Sequence, residues 1–272
     1  MTFHEVGFPF DASQPALRNA LALVNRTMAR LVAGSAERVF ASIPGWRPML
    51  ERVVRPETDI EWLPVPSGVR VAADPSESAA VRGRFAGGHP LVGHFGTHGG
   101  AIRSCLADAA PLLLQRTDAS LLLIGPRGEA ARAEILTRDP ALASRVHATG
   151  ALPENAVSAH LSACDVMLQP YPDGISSRRT SAMAALAHGV AVATTTGWLT
   201  EPLWGEAGAV ALAPADDSEA LADAAASLVT SAEAREQLAQ RGRALYDARF
   251  DLRHTIAALC RSRGSARARV CA

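Results

Sequence analysis

Short apolar runs alternate with helix-patterned segments from residue 90 onward, and that rhythm restricts the fold more than any other feature. The runs are Leu91–Phe95, Ala119–Ile124, Arg145–Thr149, Asp165–Gln169, Val190–Thr194 and Ala209–Leu212. Amphipathic segments follow them: one reaching about Gln115, others over 128–138, from Pro153 to Cys164, and after a loop at 170–181, then 217–229, 231–246 and 252–261. Apolar strands of four to six residues suit burial on both faces; a sheet with one wet face would alternate polar and apolar positions. Such strands separated by helices predict an α/β domain built on a doubly wound, Rossmann-like parallel sheet. Ligands of open sheets of this kind collect at the carboxyl ends of the strands. The loops Gly96–Gly100, Gly150–Pro153 and 170–181 all leave such ends, so they are expected to meet at one crevice.

The last of these loops is the most polar. Asp173, Ser176, Ser177, Arg178, Arg179, Thr180 and Ser181 crowd it and the first turn of the helix behind it, with Gly174 and Ile175 among them. A helix start offers free backbone N–H groups and the positive end of the dipole, and two arginines add forked donors. A phosphate site is the expectation, most naturally for a nucleotide diphosphate. The chain contains no lysine, all 27 of its basic residues being arginine, so any charged side-chain contact to a phosphate falls to Arg or His. A plainer reading stands beside this one: Arg178 and Arg179 as a solvated helix face paired with nearby acids, and Asp173 as a loop or helix cap.

Composition narrows the alternatives. With 272 residues, 48% of them hydrophobic, there is room for one full α/β domain and something smaller. A formal net charge of zero leaves no footprint for nucleic acid or an anionic membrane surface. Cys105, Cys164, Cys260 and Cys271 are scattered without metal-ligand spacing, and reduced thiols in a cytosol are the expectation. The start lacks the pattern of a signal peptide and no apolar run approaches a membrane span, so a cytoplasmic protein is expected. Residues 1–10 read as a strand emptying into a loop at Gly7 and Pro9. Pro15–Ala33 reads as an amphipathic helix through Leu17, Leu21, Val24, Met28 and Leu31, with strands at Arg38–Ile43 and Ile60–Pro64. The small, polar stretch 71–89 is expected to be a linker between a domain at 1–70 and one at 90–262, with 263–272 as a tail.

Within 90–260 the ordered set Val92-Gly-His-Phe-Gly-Thr-His98, Leu121-Leu-Leu-Ile-Gly125, Val146-His-Ala-Thr-Gly-Ala-Leu-Pro153, Ala163-Cys-Asp-Val-Met-Leu-Gln-Pro170 and Ala185-Leu-Ala-His-Gly-Val-Ala-Val-Ala-Thr194 resembles the donor-binding domain of GT-B-fold glycosyltransferases, in particular the retaining family 4, or group 1, type. The resemblance implies transfer of a sugar from a nucleotide-diphosphate donor to a hydroxyl acceptor, a glycan, lipid or small molecule, without a cofactor. The absence of an Asp-x-Asp motif fits a metal-independent mechanism. It also implies that Ser176, Ser177, Arg178, Arg179, Thr180 and Ser181, with Gly174 and Ile175, hold the diphosphate or sugar. Gly96, Thr97, His98, Gly99 and Arg103 would approach from the other side, and Leu152 in the Gly150–Pro153 turn would lie near the base. Residues 1–70 look like the remnant of an acceptor domain, which implies a fragment, a misassigned start, or one half of a split enzyme whose amino-terminal half is a separate partner.

Two departures from the family pattern matter. The family's two loop glutamates, eight positions apart, fall at Ser176 and Ala184, so Asp173 and Glu201 are the nearest substitutes, Asp173 as a catalytic candidate and Glu201 as a donor-binding one. The family's basic pair after the first strand is replaced by His94 and His98. His4 is a catalytic candidate, since the resemblance allows a histidine in such a segment to face the donor sugar. A strand-end accident at His4, core-edge positions for His94 and His98, and a cap before Trp204 at Glu201 are the plainer readings. A nucleotide-sugar epimerase of the same architecture, or a truncated domain that binds nucleotide without catalysis, are the competing functions.

Overall fold

The computed structural model of the chain describes residues 1–6, 12, 13, 15–72 and 74–261. The loop expected at Gly7 and Pro9, Cys271 and the tail 263–272 lie outside them. The chain divides into two compact units, one of residues up to Val65 together with those from Arg253 on, the other Pro66–Leu252.

The first unit holds three parallel strands in the order β1 (Thr2–Phe3), β2 (Val39–Ala41) and β3 (Ile60–Trp62). Helix α1 (Ala16–Ser35) connects β1 to β2, and a 3-10 turn begun by Pro44 runs into the single turn α2 (Arg47–Leu50) before β3. The helix anticipated at Pro15–Ala33 is present, but it turns a different face inward. Ala22, Ala29 and Ala33 are buried, whereas Leu17, Leu21, Val24, Met28 and Leu31 are 46% to 74% exposed. Helical spacing defines a stripe, and α1 carries two. The alanine stripe allows the closer approach to a neighbour.

In the second unit the anticipated rhythm is realised. Its six parallel strands are β4 (Leu91–Phe95), β5 (Ser120–Ile124), β6 (Val146–Gly150), β7 (Val166–Gln169), β8 (Ala191–Thr196) and β9 (Ala211–Pro214), ordered β6-β5-β4-β7-β8-β9. The helices are α3 (Pro75–Phe85), α4 (Gly100–Arg116), α5 (Gly128–Arg138), α6 (Glu154–Ala163), α7 (Thr180–Ala187), α8 (Leu203–Ala207), α9 (Ser218–Thr230) and α10 (Ala232–Leu245). Alternate strand residues enter opposite cores. Leu121, Leu123, Val166 and Leu168 pack with α4 and α9 through Leu106, Leu113 and Leu221. Leu122, Ile124, Met167 and Val192 pack with α6, α7 and the turn at 246–250 through Leu161, Met183, Tyr246 and Phe250. Both faces are therefore apolar, which is why the strands read as continuous runs.

The stretch expected to be a linker carries helix α3. Asp74 caps it by accepting from the Ser76 N–H at 2.7 Å, Pro75 opens it, and Val81 and Phe85 pack against the second unit's core. Its pattern is hard to see because only those two of its larger side chains are apolar; capping and packing make the helix. The last helix, α11 (Leu252–Cys260), was expected to finish the second domain. It lies almost wholly in the first unit, where Ala258 packs with Phe40 and Leu63 and the Ala258 carbonyl accepts from Arg38 at 2.6 Å. Among the described residues, no helix is long and apolar enough to cross a membrane.

Candidate functional site

Strand order reverses between β4 and β7: from β4 the chain builds the sheet toward β5 and β6, from β7 toward β8 and β9. The helices that leave these two strands diverge, and a crevice opens between their starts. A pocket of about 160 Å³ occupies it, lined by His94, Phe95, Gly96, Thr97, His98, Ile102, Tyr171, Arg178, Arg179, Thr180 and Ser181. Two of the three loops expected to converge do so here. The third, at Gly150–Pro153, does not contribute to this lining, and Leu152 packs half-buried on the second unit's core.

The wall on the β7 side is built by a loop folded hard against its neighbour. Gly174 sits at φ +84°, and a Cβ there would lie 2.2 Å from the Gly197 nitrogen and from the Thr200 hydroxyl oxygen. Backbone ties run from Ile175 N–H to the Thr195 carbonyl at 2.8 Å and from Leu199 N–H to the Asp173 carbonyl at 3.1 Å. Ile175, Ser176 and Ser177 are fully buried, so they form the floor beneath the pocket's wall and do not line it. Glu201 is buried under them. Its carboxylate accepts from the Ser177 N–H at 2.9 Å, from the Ser177 hydroxyl, and from the Trp204 indole N–H at 2.8 Å.

Above this floor stand the two arginines. Asp173 accepts from Arg178 Nη2 at 2.5 Å with one carboxylate oxygen and from Arg179 Nη2 with the other. The arginines are paired with an acid, as in the plainer reading, and they line the pocket. The Arg179 guanidinium also lies 4.5 Å over the Tyr171 ring, whose hydroxyl meets the Ser181 hydroxyl at 2.8 Å. Burial pushes the Tyr171 phenol up to about 12, against the opposing pull of Ser181 and Arg179. Helix α7 starts just behind, at Thr180, and no side chain caps its first turn.

The opposite wall is the turn from β4 into α4. Gly96 N–H donates to the Ile124 carbonyl at 3.1 Å and Arg127 Nε to the Thr97 carbonyl at 2.9 Å. Gly99 occupies the N-cap of α4, again without a side-chain cap, while Arg103 is turned away to Glu134 at 3.1 Å. His94 and His98 are both buried, their rings edge to face with centroids 5.0 Å apart. A carbonyl can only accept, so His94 Nδ1 donates to Leu168 at 2.8 Å and His98 Nδ1 to Pro126 at 2.9 Å. Burial and the His98 charge depress His94 to about 3, with the Leu168 carbonyl opposing; burial likewise lowers His98. Both rings are neutral at pH 7, each with an Nε2 lone pair. In this state His98 Nε2 accepts.

Of the remaining expected residues, His4 is exposed in the first unit, its main-chain carbonyl accepting from the Ser42 hydroxyl and the Trp46 indole, each at 3.0 Å. Ser176 and Ala184, where the family's glutamates fall, are both fully buried, and Ala184 belongs to the apolar core. Tyr171, Phe95 and Ile102 line the pocket without having been assigned to it. The signal for Tyr171 was its place directly after β7; nothing in the sequence marked Ile102. Among the described residues no cluster of three or more His, Cys, Asp or Glu side chains could hold a metal ion, and Cys105 and Cys164 are free thiols.

Residues 91–231, just over half the chain and the whole of this pocket, match the family model described as "Glycosyl transferases group 1". The chain belongs to that family. Solved structures add the fold to the family. The sucrose-phosphate synthase of Thermosynechococcus elongatus matches with a TM-score of 0.72 at 19% identity, over 95% of this chain and 65% of that one. Anabaena HepE, solved in complex with UDP and glucose, matches with a TM-score of 0.66 at 17% identity, over 95% and 70%. The C-terminal domain of LpcC, a glycosyl transferase group 1 family protein of Francisella tularensis, gives 0.52 at 18% identity, over 69% of this chain and 96% of that one. This group 1 glycosyl transferase thus has the GT-B type of α/β fold, with a Rossmann-like parallel-sheet domain, and spans about two thirds of the length of its full-length structural neighbours. No curated protein matches the chain in sequence.

Proposed function

We propose that the pocket between β4 and β7 seats the diphosphate of a nucleotide-sugar donor, and that the chain transfers the sugar to a hydroxyl acceptor with retention at the anomeric carbon. The observation that carries this reading is the meeting, at one switch point, of two guanidiniums with the uncapped start of α7. A diphosphate leaving group gathers negative charge as the glycosidic bond breaks. Fixed donors that need no reorganisation stabilise that charge most. Arg178 and Arg179 would supply it with forked cationic contacts, Thr180 and Ser181 with hydroxyl and amide donors, and the Gly96–Gly99 turn would close the other side. Charge compensation of this kind needs no divalent cation.

Asp173 serves in this reading as a positioning residue that aims both arginines, and Glu201 as the anchor of the loop through Ser177. The Gly150–Leu152 turn would meet the base, and the role of His4 toward the sugar rests on the family resemblance alone. In this reading the protein works in the cytoplasm. Calorimetric titration of the full chain with UDP- and GDP-sugars tests the seat. Loss of a charge-assisted contact of about 1.5–3 kcal/mol in Arg179→Ala corresponds to roughly a 10- to 100-fold weaker affinity. Unchanged affinity in that variant would remove the assignment.

A further inference from the structure

The two walls of the pocket are unequal. One is cationic, Arg178 and Arg179 with Asp173 behind them; the other presents the paired imidazoles His94 and His98. His98 is 1% exposed, and its Nδ1 is turned to the Pro126 carbonyl. Its Nε2, on the other edge of a ring that lines the pocket, is buried without a hydrogen-bond partner. A buried lone pair facing an incoming anion is repulsive, and a buried imidazolium facing it is a charge-assisted donor.

We infer that His98 makes anion binding in this pocket proton-coupled: the anion enters together with one proton, taken from solvent onto His98 Nε2, which then donates to an anion oxygen. The inference rests on the diphosphate reading above and adds to it a residue and a stoichiometry. The groups around the ring set the balance. His94 on β4, Arg127 at the start of α5, and Arg178 and Arg179 across the pocket oppose a further positive charge, while Tyr171 there stays neutral. The Pro126 and Gly96 carbonyls favour the charge, and Asp173 is paired with both arginines. Without an anion, burial outweighs these carbonyls and holds the ring below the usual histidine range. An anion tips the balance, because its charge acts at contact distance in a site shielded from water. His94 does not share the proton, since two imidazolium rings in edge contact repel.

The sign follows from linkage. A group whose pKa is higher in the bound than in the free state makes binding tighten as pH falls, by up to tenfold per pH unit between the two values. The test uses sulfate and UDP-glucose, neither of which titrates between pH 5 and 8, added to the full chain at pH 6.5 and 7.5 in buffers of different ionisation enthalpy. The expected result is a buffer-dependent heat corresponding to proton uptake, with affinity three- to tenfold higher at pH 6.5. In His98→Asn the uptake and the pH dependence should vanish; asparagine tolerates the left-handed backbone found at this position, φ +50°. Binding without proton uptake, or uptake that survives in His98→Asn, overturns the inference and leaves the diphosphate seat intact. Failure of both probes to bind at either pH overturns the seat itself.

Discussion

Glu201 supports the pocket from below, and its removal is expected to be among the most damaging single changes in the second unit. The carboxylate is buried and takes three donors: the Ser177 N–H, the Ser177 hydroxyl and the Trp204 indole N–H. Hydrogen bonds to a charged acceptor contribute about 1.5–3 kcal/mol each, and they are not additive within one cluster. Glu201→Ala loses all three, offset by release of a desolvated charge. The net expectation is a destabilisation of about 3–5 kcal/mol. Glu201→Gln is the informative partner. Its amide oxygen still accepts from Ser177, but its NH2 cannot accept from Trp204, and a fully buried indole N–H loses its acceptor. About 1–2 kcal/mol is expected there. Urea unfolding of the full chain reads both variants. The loop that carries Arg178 and Arg179 hangs from Ser177, so donor affinity should fall in the same order. Equal destabilisation by Ala and Gln, or less than about 1 kcal/mol for Ala, would refute the reading of Glu201 as an anchor.

Gly174→Ala tests the crossing of the two loops: a left-handed residue with a Cβ is disfavoured by about 1–2 kcal/mol, and here that Cβ meets backbone and the Thr200 hydroxyl 2.2 Å away. A loss of about 3 kcal/mol or more in urea unfolding is expected, and full stability would show that the loop relaxes freely. Arg145→Lys tests a fork elsewhere in the same unit, where the guanidinium donates to the carbonyls of Leu114 at 2.8 Å, Thr117 at 2.7 Å and Ala119 at 2.9 Å. A point-charge ammonium cannot span three acceptors, so a loss of about 1–3 kcal/mol is expected despite the retained charge, and a neutral outcome would show the fork to be dispensable.

The parallel sheet was legible because its signal is local. Leu121–Ile124 and Val166–Leu168 are apolar at every position since each successive side chain enters one of two cores, and the helices between them repeat at their own period. Position after a strand made the loops at 96–100 and 170–181 candidates for one crevice, and sheet order brought them together. What stayed hidden depends on partners distant in sequence. Nothing in Leu17, Leu21, Val24, Met28 and Leu31 says that α1 turns its alanines inward, because two stripes compete and helical spacing does not choose between them. The helix over Pro75–Phe85 and the placement of Leu252–Cys260 with the first unit are likewise settled by packing.

By itself the sequence determined a doubly wound α/β domain, the edge at which its crevice opens, and the restriction of any charged side-chain contact to a phosphate there to arginine and histidine. Only tertiary structure decided what each polar residue of that edge does. It joined Asp173 to both arginines, put Ser176, Ser177 and Glu201 beneath the pocket rather than in it, and set Nδ1 of His94 and His98 on the carbonyls of Leu168 and Pro126. Residue type states which bonds a side chain can make. Its charge and proton are then set by burial and by the partner that the fold places within hydrogen-bonding reach.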